Sequence, residues 1–106
     1  MSNLDQCIQN CQDCYRVCLD ALTNHCLKEG GAHTEQGHVK LMLDCIQICQ
    51  TSADFMIRQS ASHGLICRAC SEICRTCADD CERVGGMEEC VSACRKCAES
   101  CGSMAA

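Results

Sequence analysis

The sequence predicts an all-α chain, an antiparallel up-down-up-down four-helix bundle with a thiol-lined core, and three observations predict it. The unit C-x3-C-x2-C-x3-C recurs at Cys7/Cys11/Cys14/Cys18, Cys70/Cys74/Cys77/Cys81 and Cys90/Cys94/Cys97/Cys101, and alternating steps of four and three keep to one helix face. Proline is absent, and the glycines fall almost entirely between the thiol-bearing segments, at Gly30-Gly31, Gly64, Gly85-Gly86 and Gly102, where they are expected to stop helices. The connections left over are short, which makes consecutive helices antiparallel neighbours.

The first helix is expected over 3–29, started by Ser2 with Asp5 three positions on. The second is expected over 34–62, opened by Thr34 and Glu35, the third over 65–84, and the fourth over 87–101, with Glu88-Glu89 in its first turn. At 1.5 Å per residue the first spans roughly 40 Å, so the long first pair should overhang the second pair.

The same spacing extends each stripe beyond its cysteines. In the first helix it runs on through Ala21 to His25, with Cys26 beside it; in the second it reads His38, Met42, Cys45, Cys49, Ser52, Met56 and, further on, His63. Cys67 precedes the unit of the third helix, and Met87 and Met104 flank that of the fourth helix. Threading the helices from their loops gathers His25, Cys26, His38, Met42 and Met87 at one end, and Met56, His63, Cys67 and Met104 at the other. A second apolar stripe, Leu41, Ile48 and Phe55 with Val39, Leu43, Ile46 and Ile57 nearby, either faces outward as a self-association surface or widens the core.

One domain, 1–106, is the limit for a chain of 106 residues, and its 16 cysteines stand against one Phe, one Tyr and no Trp. Aromatic side chains therefore cannot anchor the core. Tyr15 lies one step off the thiol stripe and is expected to pack between helices or subunits. The start, Met1-Ser2-Asn3-Leu4-Asp5, lacks a basic region followed by an apolar run, no stretch reaches the roughly 20 apolar residues of a membrane span, and neither end carries a lipidation signal. A cytoplasmic protein in a reducing compartment is expected, with its thiols free or metal-bound. Net charge is −5 and the nine basic residues are scattered, which argues against nucleic acid and anionic membrane as partners.

Cysteines three or four apart on a helix have Cβ atoms about 5–6 Å apart, whereas a disulfide wants about 3.5–4.5 Å. A metal ion between two sulfurs relieves that mismatch. A thiolate-only zinc site leaves excess negative charge in a low-dielectric interior. Cu(I) is soft, monovalent and satisfied by two or three ligands, so thiolates that each bridge two ions give a neutral core at about one ion per thiol. Iron–sulfur motifs sit in wrapping loops, and a thioredoxin-like C-x-x-C follows a strand, neither of which this pattern provides. A zinc or iron–sulfur module and a disulfide-stapled structural bundle stay open as alternatives. A non-enzymatic protein is expected, with no catalytic residue and with multiple Cu(I) ions per chain as the bound species.

The candidate ligands are Cys7, Cys11, Cys14, Cys18, Cys26, Cys45, Cys49, Cys67, Cys70, Cys74, Cys77, Cys81, Cys90, Cys94, Cys97 and Cys101, joined by His38 and Met42 on the stripe and by His25. A lone histidine on a helix is more often solvated or capped, so His33 is left unassigned and His63 is a weaker candidate.

The three thiol stripes, Ile66-Cys67-x-x-Cys70, and Ala98-Glu99 ahead of Cys101 resemble the bacterial copper storage proteins, specifically the cytosolic branch without a leader. The resemblance covers nearly the whole chain. It implies a four-helix bundle, usually a homotetramer, whose inward cysteines hold multiple Cu(I) ions; the reading that follows is a non-enzymatic store that buffers or detoxifies copper, with copper donor or acceptor proteins as candidate partners. It also implies metal entry at one end, where His25, Cys26, His38 and Met42 lie. Fewer cysteines on the second helix, His38 in a thiol's place and Ala21 on the stripe set this chain apart. A copper metallochaperone, which needs one exposed site rather than many buried ones, is the competing class.

Overall fold

The computed structural model describes residues 2–105. Helix α1 begins at Asn3, capped by Ser2 Oγ, which accepts from the Asp5 backbone N–H at 3.1 Å. It runs as α-helix over Asn3–Ala21, passes through a π-turn at Leu22–Cys26 and closes with a last α-turn, Leu27–Glu29. Gly30, at φ 72°, ends it, a backbone region that costs glycine nothing.

A 3-10 turn, Gly31–Thr34, leads into α2, Gln36–Ile57. Thr34 does not cap that helix as its sequence position suggests. Its hydroxyl donates back to the Gly31 carbonyl at 3.1 Å, and Glu35 holds the N-cap position without a side-chain bond. Helix α2 also stops five residues short of the expected end. Gln59 adopts φ 51°, while the Gln59 and Ser60 N–H groups donate to the carbonyls of Met56 and Phe55 at 3.0 and 2.9 Å. Those two bonds form a Schellman stop, here built on a non-glycine residue and so unmarked in the sequence.

Helix α3 spans His63–Val84, starting two residues earlier than expected, and ends at Gly85, φ 83°. Helix α4 spans Glu88–Met104, three residues beyond its expected end, with Glu88 and Glu89 in its first turn as anticipated. The helices form a ring in which α1 packs on α2, α2 on α3, α3 on α4, and α4 back on α1. The bundle measures 41 × 23 × 18 Å. The turns at 30–35 and 85–87 close one end, here called the mouth; the 58–62 turn, the start of α1 and the end of α4 lie at the other.

All 16 cysteines are buried, none more than 1% exposed. An apolar jacket surrounds them, but the second stripe of α2 does not simply face outward. Ile46 is buried, Val39, Leu41, Ile48 and Phe55 are half-buried, and only Leu43 and Ile57 are exposed. Tyr15 is half-buried against the core, in keeping with its place beside the stripe.

Candidate metal centre

The four stripes meet on the bundle axis as a column of sulfur. Starting from the end opposite the mouth, Cys101 Sγ lies 3.6 Å from Cys7 and 3.5 Å from Cys11, and Cys97 lies 3.5 Å from Cys11. Cys49 continues the column at 3.8 Å from Cys97 and 3.5 Å from Cys74. Cys45 bridges Cys74 at 3.7 Å to Cys94 and Cys14, both at 3.8 Å. Cys18 completes the run 3.6 Å from Cys94. Each step crosses from one helix to another, so the column exists only when all four are packed.

Among the described residues, three groups converge tightly enough for one ion: Cys11/Cys70/Cys97/Cys101, Cys14/Cys49/Cys74/Cys97 and Cys14/Cys18/Cys45/Cys94, with the four sulfurs of each within 4.8 Å of one another. Cys14 and Cys97 belong to two groups each, the arrangement that bridging thiolates require. With metal–sulfur bonds of about 2.3 Å, sulfurs around one ion lie about 3.8–4.6 Å apart, depending on whether four, three or two share it. The same-helix pairs Cys14/Cys18 at 3.9 Å, Cys77/Cys81 at 4.0 Å and Cys97/Cys101 at 4.0 Å already fall in that range. All 16 thiols are unbridged.

Towards the mouth the ligand set changes. Met42 Sδ accepts from Cys77 at 3.6 Å and from Cys81 at 3.4 Å. Above it, Cys26 Sγ lies 3.5 Å from His38 Nε2 and 3.8 Å from Met87 Sδ. A cavity of about 290 Å³ between α1 and the start of α4 is lined by His25, Met87 and Cys90, among others, and gives this end an approach from solvent.

His25 is not inside with them. A regular helix would carry the stripe through Ala21 and His25, but the π-turn adds one residue per turn over Leu22–Cys26. Leu22 and Cys26 are buried instead, Ala21 is half-buried and His25 is exposed at the rim. His33, left without a role by its sequence position, lies between the two other mouth histidines, its ring 5.0 Å from that of His25 and 6.4 Å from that of His38. Asp80 is a second residue that sequence reasoning missed. It lies 2.7 Å from His38 Nδ1, yet in the run Asp79-Asp80 it reads as solvated helix surface.

The opposite end offers less. Ser52 Oγ takes a thiol's place, 3.5 Å from Cys67 and 4.0 Å from Cys101. His63 donates from Nδ1 to the Ser60 carbonyl at 2.8 Å, as a turn-capping side chain would, and Met56 is fully buried.

Electrostatically the column is a set of thiols sharing protons. Between Cys14 and Cys18 the proton settles on Cys18, whose bond drives Cys14 down while its own value rises. Hydrogen bonding from Cys18, then Cys81, lowers Cys90 to about 4, and Cys18 likewise leads in lowering Cys77 to about 5. Burial, followed by the charge of Cys90, pushes Cys26 up. Thiols held towards the protonated form therefore alternate with thiols pushed towards losing their proton. A soft cation entering the column replaces protons, and its charge offsets the thiolate left behind.

The chain matches the family described as copper storage protein over residues 1–106. Among solved structures, it is similar to the Nmul_A1745 protein from Nitrosospira multiformis, at 51% identity and a TM-score of 0.95, covering 97% of this chain and 94% of that one. It is also similar to the Cu(I)-bound copper storage protein BsCsp3, at 34% identity and a TM-score of 0.90, covering 99% of this chain and 100% of that one. The apo form of copper storage protein 3 from Bacillus subtilis matches at 33% identity and a TM-score of 0.84, over 96% of this chain and 98% of that one.

Proposed function

The chain belongs to the copper storage protein family, and from that premise we propose that its thiol column stores multiple Cu(I) ions by binding alone, without catalysis. The observation that carries this reading is the continuity of the column. Sulfurs from all four helices follow one another at 3.5–4.0 Å, and Cys14 and Cys97 each serve two candidate ion positions. A chaperone needs one accessible site; a buried run of shared thiols serves accumulation.

The 16 cysteines are the ligands of the store, with Met42 and His38 contributing a thioether and an imidazole where the column meets the mouth. His25 acts at the rim, as a first contact rather than an interior ligand. Neutrality limits the load: two thiolates per ion and two ions per thiolate give about one Cu(I) per thiol. The whole of 1–106 acts as one domain, in the reducing compartment of the cytoplasm, where thiols stay available.

Self-association accompanies this role. Leu43, Ile57 and Leu65 are 49%, 54% and 65% exposed, and a homotetramer would give such side chains cover. Sedimentation of the reduced protein tests it, with a monomer at all concentrations as the contrary result. Among the described residues, no helix is long and apolar enough to cross a membrane.

The storage reading is tested by anaerobic titration of the fully reduced protein with Cu(I) against a competing chelator, followed by metal and thiol counts on the isolated complex. Uptake near one ion per thiol is expected. Saturation at one or two ions would instead indicate a transfer module.

A further inference from the structure

His38 is 1% exposed, and both of its ring nitrogens are engaged. Nδ1 lies 2.7 Å from Asp80 Oδ2 on α3, and Nε2 lies 3.5 Å from Cys26 Sγ on α1. The other oxygen of Asp80 is held by Arg83, whose Nε and Nη2 both donate to Oδ1 at 3.0 Å. Arg83 in turn reaches Glu35 Oε1 at 3.5 Å through Nη1. A carboxylate tied to a guanidinium is an acceptor only, so the short contact to His38 is a bond that Nδ1–H donates. A neutral imidazole has one N–H. With that proton committed to Asp80, the lone pair lies on Nε2 and faces the sulfurs of the mouth.

We propose that Asp80 is the positioning residue of the mouth: it holds His38 in the Nδ1–H tautomer, so that the Nε2 lone pair, with Cys26 and Met87, is presented to one incoming Cu(I) ion. The proposal rests on the storage reading above and deepens it. One thiolate, one imidazole and one thioether around a monovalent ion make a neutral set, distinct from the all-thiolate column below. A carboxylate behind a ligating imidazole fixes the ring's orientation and strengthens its donor nitrogen, and loss of such a partner typically weakens metal binding 10–100-fold. Asp80 never touches the ion in this arrangement. Its neighbour Asp79 pairs outward with Arg95 at 3.4 Å, so the two adjacent carboxylates serve different ends.

The test starts on reduced, metal-free, 15N-labelled protein at about pH 8, with two-bond 1H–15N correlation of the histidine rings. His38 should show a protonated Nδ1 and a bare Nε2. A protonated Nε2, whether in the other tautomer or in an imidazolium, overturns the proposal without any variant having to fold.

Substoichiometric Cu(I) should then shift the Nε2 resonance of His38. D80A should lose the tautomer preference and weaken the ion sensed at His38 by about 10–100-fold, while the total copper count falls by no more than about one ion. D80E should restore both. An Nε2 resonance unmoved up to saturation, or a D80A protein with the wild-type tautomer and wild-type affinity at His38, overturns the role. The storage reading fails separately, through a total count of only one or two ions, which leaves the tautomer result standing.

Discussion

Cys18 and Cys26 lie on the same inner face of α1 although they are eight positions apart, one more than the four-three rhythm of the rest of the helix permits. The π-turn Leu22–Cys26 absorbs the extra residue. Its effect is selective: a buried thiol reaches the mouth, and the neighbouring histidine is turned out to the rim. Such insertions carry an energetic cost and concentrate where a side chain must be re-aimed.

This register makes a direct prediction. Leu22 is 4% exposed, on the level between Cys18 and Cys26, whereas Ala21 sits on the flank. L22C should add an interior thiol and raise Cu(I) capacity by about one ion, at a cost of about 1–3 kcal/mol to the apo protein from the volume removed. A21C should leave capacity unchanged and react with a thiol reagent faster than the core cysteines. Metal counts and reaction rates on both variants check it, and the reversed pattern would mean that the helix is regular.

In the middle of the column, Cys94 touches Cys14, Cys18 and Cys45, and Cys74 touches Cys45, Cys49 and Cys70. C94S and C74S should each lower capacity by about one or two ions, since a bridging thiolate serves two. Neither should unfold the bundle, because a hydroxyl of nearly the same volume can bond to the neighbouring sulfurs. Unchanged copper counts in both variants would rule out shared thiolates.

The ring of four helices and 15 of the buried thiols were legible because sulfur repeats at the helix period and Gly30, Gly85 and Gly86 take positive φ at the expected stops. Three things were not. The π-turn leaves no compositional mark, so Ala21 and His25 read as interior residues. The end of α2 depends on a left-handed Gln59, which nothing in the string Arg58-Gln59-Ser60 announces. The partnership of His38 with Asp80 joins residues 42 positions apart, and only the packing of α2 on α3 makes it. Period reveals a stripe; it does not reveal an added residue or a contact across helices.

The left-handed Gln59 offers a test of local strain. Its φ of 51° costs a side chain about 1–2 kcal/mol and costs glycine nothing. Glycine also loses more entropy on folding, which returns roughly 0.4–1 kcal/mol of that gain. Q59G should therefore stabilise the apo protein by about 0.5–1 kcal/mol and raise its melting temperature by a few degrees. An unchanged or lower melting temperature would mean that this turn is not left-handed in solution.

The proton-sharing column sets the pH dependence of the apo protein. Cys18, Cys49, Cys81 and Cys97 are raised from an ordinary thiol value of 9.0 by hydrogen bonds to neighbouring thiols, and Cys26 chiefly by burial. Groups raised on folding lend their stability below the unfolded value and withdraw it as pH climbs past about 9, because the unfolded chain then gives up protons that the folded one retains. Cys77, at about 5, and Cys90, at about 4, act in the opposite sense. Their contribution is full above about 9 and declines as pH falls towards their folded values. Anaerobic melts of the reduced apo protein should therefore peak near pH 9 and fall on both sides. With Cu(I) bound, the ligands are already thiolates and the alkaline limb should flatten, while acidification should release copper as protons reclaim the sulfurs. An apo melting temperature that holds steady from about pH 9 to 11 would show that the core thiols ionise as freely as exposed ones.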